Sequence, residues 1–117
     1  MTTETDLVAL LQTLCPRVSP MVAPLSTARP FVTYQLIGGQ SLRYVENTAA
    51  AERWTLVQIN VWSDTHAAAL TLTRAIEDAL CASSAFTAKP EGEPIGMHED
   101  DLKLYGFIQD YSVLAPR

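Results

Sequence analysis

Between residues 54 and 80 the apolar positions change period from that of a strand to that of a helix, with almost no connector between the two patterns. Over residues 54–62, Thr55, Val57, Ile59 and Val61 fall on one face, while Trp54, Leu56, Gln58, Asn60 and Trp62 fall on the other. The β-branched face reads as core. The second face sets an indole at each end around two amides, a pattern suited to a surface partly covered by the same chain or by a neighbouring copy. From residue 64 a helix is expected, capped by Asp64 or Ser63, with Ala69, Leu72, Ala75, Ile76, Ala79 and Leu80 as its apolar stripe. Arg74 lies within helical reach of Glu77 and Asp78. The short joint folds this helix back over the strand, so Ile59, Val61, Leu72 and Ile76 are expected to be buried together.

The same periodicities organise the rest of the chain. Leu7, Leu10, Leu11 and Leu14 make one helical stripe, which Thr3 or Thr5 can cap, Asp6 favours at its first turn, and Pro16 stops. Residues 17–29 read as an ordered connector, with Pro20 and Pro24 spacing Val18, Met21, Val22 and Leu25, whose side chains are expected to dip into the core. Residues 30–37 have the β-branched and aromatic content of a strand that Gly38 and Gly39 end. A shorter strand over 42–45 and a polar, alanine-rich tip over 47–51 lead into the Trp54 strand as an antiparallel hairpin. Residues 82–94 read as a loop, 95–98 as a short strand and 102–114 as a long one. The long strand sets Tyr105, Phe107, Tyr111 and Val113 against Leu104, Gly106, Ile108 and Ser112, so neither face is wholly polar, and a central or doubly covered position follows. The order helix, three strands, helix, two strands predicts an α+β fold, a single mainly antiparallel sheet with two helices on one face.

Composition narrows the class. At 117 residues, 48% hydrophobic and 18% charged, the chain is expected to form one domain over residues 1–117 that folds without a disulfide or metal. The opening residues carry no positive charge and no apolar block of a signal peptide, and no apolar run is long enough to span a bilayer. Net charge is -5, and Arg17, Arg29, Arg43, Arg53, Arg74, Lys89, Lys103 and Arg117 are scattered singly, which speaks against direct nucleic-acid binding. Glu91, Glu93, Glu99, Asp100 and Asp101 crowd one stretch without the alternating spacing of a calcium loop, so they read as a solvated loop. Cys15 and Cys81 read as free, buried thiols.

No chemistry announces itself. His66 and His98 have no nucleophile motif beside them and no zinc-ligand spacing such as HExxH, and read as surface residues. Gly38-Gly39 is a turn, since no phosphate-binding glycine motif is present. Neither a catalytic site, a cofactor site nor a metal site is expected.

The segments 18–24, 30–35 (Pro-Phe-Val-Thr-Tyr-Gln) and 57–63 (Val-Gln-Ile-Asn-Val-Trp-Ser), the alanine and leucine positions of the second helix, and the closing Asp110-Tyr111-Ser112-Val113 resemble the small tail-completion proteins of tailed bacteriophages and prophages. The resemblance runs over nearly the whole chain; residues 47–51 and 90–101 match nothing characteristic. It implies a non-enzymatic structural role in the virion tail, assembled in the bacterial cytoplasm. Proteins of this kind terminate the tail or join it to the head at its head-proximal end, commonly as a ring, often of six subunits. Partners would be other copies, the tail tube and the head-tail connector, with no cofactor and no membrane. Arg43, Glu46, Glu52 and Arg53 on the hairpin arm, with Trp54 and Trp62, are the expected oligomer interface. A small α+β ligand-binding or dimeric regulatory module is the alternative that the same pattern allows.

Overall fold

The computed structural model describes residues 3–24, 27–39 and 52–116. Its elements in order are α1 (Thr3–Leu14), β1 (Val18–Pro20), β2 (Phe31–Gly38), β3 (Glu52–Ser63), α2 (His66–Ala82), β4 (Thr87–Pro90), β5 (Ile95–Glu99) and β6 (Leu104–Pro116). β3 runs antiparallel to β6 over its whole length, from Glu52 opposite Pro116 to Ser63 opposite Tyr105. β2 pairs antiparallel with the other side of β3, and β1 adds a short parallel strand outside β2. On its free side β6 takes two partners in tandem. β4 pairs with its distal half, Thr87 opposite Leu114, and β5 with its proximal half, Ile95 opposite Ile108. The sheet is therefore mainly antiparallel, with β6 central, as its two non-polar faces require.

Alternation assigns the two faces. Val57, Ile59 and Val61 on β3, Val32 and Tyr34 on β2, and Tyr111, Val113 and Ala115 on β6 are buried against Leu7 and Leu11 of α1 and Ile76 and Leu80 of α2. Both helices thus lie on one side of the sheet. Ile59, Val61 and Ile76 are exposed by no more than 2%, and Leu72 packs partly buried against them, the packing that the short strand-to-helix joint requires. On α1 the stripe is tilted: Leu7 and Leu11 are buried, whereas Leu14 at the last turn is exposed. The first turn of α1 is tied down by the Tyr34 hydroxyl, which donates to Glu4 Oε2 at 2.6 Å. Burial, then that hydrogen bond and the Glu4 charge, push the Tyr34 phenol up to about 12.

The structure differs from the sequence expectations at several places. The α2 cap is Thr65, extended at φ -133 and ψ 152, whose side chain accepts from the Ala68 N–H at 3.1 Å. Ser63 is the buried last residue of β3, and Asp64 is ion-paired with Arg29 at 2.9 Å, so neither is free to cap. Thr5 lies inside α1, which has begun by Thr3. Met21 and Val22 do not dip into the core; they are 64% and 79% exposed. Met21 is in the left-handed region (φ 60), and the Val22 N–H closes on Pro20 O at 2.7 Å, which turns the chain out of the sheet after β1. Within residues 82–94, read as loop, β4 forms because Phe86 and Ala88 find the core beside β6. Cys81 is exposed, since it lies off the buried stripe of α2. Glu77 is engaged by Gln109 on β6, and the ion pairs among the described residues do not include Arg74. The 42–45 strand, its hairpin with the Trp54 strand, the 47–51 tip and Leu25 lie outside the described residues.

Ile76→Ala removes a fully buried side chain from the joint between α2 and β3 and should cost ~2 to 5 kcal/mol, whereas Leu14→Ala should cost well under half as much. Chemical denaturation of the two variants checks this; equal losses would contradict the packing.

Candidate interaction surface

The helix-free face of the sheet collects the remaining side chains in rows set by register. Phe31, Trp62, Gly106 and Met97 cross one end. Thr33, Asn60, Ile108 and Ile95 follow, then Gln35, Gln58 and Asp110. Leu56, Ser112 and Lys89 come next, and Trp54, Leu114 and Thr87 end the face. The amides and the carboxylate thus occupy its middle and the indoles its ends. Trp54 and Trp62 share this face about 26 Å apart along β3.

A glycine makes a close approach near each tryptophan, to the indole of Trp62 and to the backbone at Trp54. A methyl group on Gly106 would stand 2.6 Å from Trp62 Cε3 and 2.7 Å from Val61 O, so Trp62 lies across the β6 backbone and is only partly exposed. At the other end Gly39 (φ 129) approaches the Trp54 carbonyl so closely that a methyl there would sit 2.5 Å from it. Gly39, Trp54, Thr55, Leu56 and Ser112 line an open cleft of about 260 Å³, and Trp54 is 37% exposed.

The middle of the face is polar and acidic. Asp110 Oδ1 is buried without a hydrogen-bond partner. Beside it, the Glu91 N–H donates to Asp110 O at 2.9 Å, and the Ser112 hydroxyl donates to Glu91 Oε1. Here β4 and β5 part, and residues 91–94 bridge the gap alongside a cleft of about 150 Å³ lined by Glu91, Gly92, Glu93, Ile95, Ile108, Gln109 and Asp110. On the helix side of the same gap, Gln109 Nε2 donates to Glu77 Oε1 at 2.7 Å and to Gly92 O at 2.9 Å, while its Oε1 accepts from the Tyr111 hydroxyl at 2.8 Å. Burial first, then the Glu77 charge, pushes the Tyr111 phenol up. Gln109 therefore clasps the bridge to α2 and fixes the cleft wall.

The expected interface residues are distributed unevenly. Trp54 and Trp62 are brought to one face, while Glu52 and Arg53 are placed as β3 backbone opposite Pro116 and Ala115. Arg43 and Glu46 lie outside the described residues. His66 and His98 are exposed; His66 meets the Phe107 ring edge-on at 5.1 Å between centroids, and His98 Nε2 lies 2.8 Å from Asp100 Oδ1. No group of three or more His, Cys, Asp or Glu among the described residues is gathered to hold a metal ion. Asp110, Glu91 and Ile95 did not stand out as site residues in the sequence. The signal available for Asp110 was a lone acid between Gln109 and Tyr111 in a strand expected to be central.

The sheet is thus packed by helices on one face and carries aromatic residues at the two ends of a polar middle on the other. The family model described as tail completion protein gp17 matches residues 2–112, and the chain belongs to this family of phage tail proteins, whose role is structural. A search of the curated proteins finds no match to the chain. No helix among the described residues is long and apolar enough to cross a membrane.

Gly106→Ala should displace the Trp62 indole from β6 and cost ~1 to 3 kcal/mol, because the contact includes backbone as well as a movable ring. A changed tryptophan emission together with a lowered denaturation midpoint is the expected result; an unchanged spectrum and stability would show that Trp62 does not rest on Gly106.

Proposed function

We propose that the protein completes the phage tail at its head-proximal end, as one subunit of a head-to-tail ring, and that it works without catalysis or cofactor. The observation that carries this reading is the match to the tail completion family over residues 2–112. The open sheet face supports it, because a ring subunit needs a large surface left over after its own core is packed. In the proposed arrangement the face from Trp54 to Trp62 meets the neighbouring copy, and the arm bearing Arg43, Glu46, Glu52 and Arg53 reaches across to it. The tail tube and the head-tail connector adjoin the two rims of the ring. A ring of six copies would carry 6 × (-5) = -30 charges, so the channel would repel DNA phosphates and let the genome pass without sticking.

The test is complementation of a phage that lacks the protein. Trp54→Ala removes a side chain that is 37% exposed and should shift the melting temperature of the free protein by only a few degrees. Charge reversal at Glu52 and Arg53 together should likewise spare folding. Each variant should leave heads and tails unjoined in electron micrographs and lower the phage titre, as expected when a contact in an assembly interface is removed. Normal titres with both variants would refute the assignment of this face and arm.

A further inference from the structure

Two large apolar side chains stand out from the surface at the turn that follows β1: Met21 is 64% and Val22 79% exposed. They are held there. Met21 takes φ 60, a left-handed backbone that a methionine adopts only at a cost, and its N–H donates to Tyr34 O at 2.7 Å. The Val22 N–H donates to Pro20 O, also at 2.7 Å, and Pro20 and Pro24 bracket the pair. A strained backbone that exposes two apolar side chains gains nothing within the monomer, so the turn points to a surface outside it. Ile95 is 67% exposed but single, and it lies beside Glu91 and Glu93.

The cleft of about 260 Å³ at the Trp54 end of the open sheet face has the matching chemistry. Its lining, Gly39, Trp54, Thr55, Leu56 and Ser112, carries no charge, and beside it Lys89 and Glu91 make a polar rim of both signs. No charged residue lies between Arg17 and Arg29, or between Arg53 and Asp64. Arg17 and Arg29, which flank the turn in sequence, are engaged by Pro30 O and by Asp64. Turn and cleft are therefore places where two copies, each of net charge -5, can touch without bringing carboxylates together. The turn cannot fill the cleft of its own chain. Met21 is bonded at Tyr34, which pairs with Ile59, and Ile59 lies five residues, about 17 Å, along β3 from Trp54. A contact between turn and cleft thus joins two copies, and because the two features differ it is head-to-tail.

We propose that the Met21-Val22 turn of one copy seats in the Trp54 cleft of the next, as the apolar anchor of their contact. The repetition of this contact around a ring rests on the function proposed above; the pairwise contact does not. Two side chains cover far less than the roughly 800 Å² per partner that a stable pair buries. The free protein should therefore associate weakly through this anchor, and the ring should need its other contacts to form.

The experiment mixes two complementary variants, so that only one copy supplies the turn and only the other the cleft. Isotope-labelled Met21→Ser/Val22→Ser keeps the cleft and lacks the apolar side chains of the turn. Unlabelled Trp54→Ala keeps the turn and lacks the indole. Should either fail to fold, labelled Val22→Ser alone, at the more exposed position, and unlabelled wild-type protein take their places. NMR titration should give saturable shifts at the Trp54 indole N–H and at the backbone amides of Gly39, Leu56 and Ser112, with a dissociation constant of about 1 mM or below. A donor that itself carries Met21→Ser/Val22→Ser should bind at least about tenfold more weakly. Equal shifts from the two donors, shifts confined to other surfaces, or no saturable shift at about 2 mM donor would each overturn the proposal. Because the titration uses purified protein, its failure leaves the tail-completion reading standing, and normal phage titres would refute the role in the tail while leaving a measured contact intact.

Discussion

The pairing of β3 with β6 is the constraint on which the rest of the structure depends. Twelve consecutive residue pairs join them without a bulge, and every other element is placed by reference to that ladder. β2 extends it on one side, while β4 and β5 divide the other side between them. The register decides which side chains meet the helices: a slip of one residue would send Gln58 and Asn60 into the core and Val57, Ile59 and Val61 to the open face. With Ile76 and Leu80 of α2 packed against the β-branched row, such a slip would leave amides buried without partners. The core thus fixes the register, and the register fixes the open face.

That open face is shaped by two local devices. Glycine at residue 106 lets the Trp62 indole lie across the β6 backbone, and glycine at residue 39 lets the chain after β2 approach the β3 backbone at Trp54. The tandem division of the β6 edge leaves a gap at Gln109 and Asp110, and consecutive residues there serve opposite faces. Gln109 is satisfied on the helix side by Glu77, Gly92 and Tyr111, while Asp110 on the other side keeps a buried oxygen without a donor. The network around Gln109 holds the wall of the gap in place beside the buried Asp110 acceptor.

Much of the fold was legible because strong periodicity coincides with burial. The two helices, the Trp54 strand, the long last strand and the contact of Ile59 and Val61 with Ile76 follow from apolar spacing alone. β4 escaped because four residues of mixed composition carry no period; its strand state comes from pairing with β6 and from Phe86 and Ala88 reaching the core. The outward turn of Met21 and Val22 escaped for the opposite reason, since two large apolar residues between prolines look like core until a left-handed backbone at Met21 redirects them. Thr65 as cap was hidden by two equally good capping residues just before it, one of which the Arg29 ion pair had claimed. Of the site, the indole-bearing face was readable from alternation, whereas the cleft at Asp110 depends on where two separate strands stop along a third, which no local pattern records.

The most direct test of the open sheet face as an assembly surface is hydroxyl-radical footprinting of Trp54 and Trp62, comparing the free protein with intact virions. Trp54, 37% exposed in the isolated chain, should oxidise readily when free and at least about fivefold more slowly in the assembled tail, as expected when a residue passes into a water-excluding interface. Equal oxidation of Trp54 in the two states would show that this face stays in solvent and that the tail is joined through some other surface.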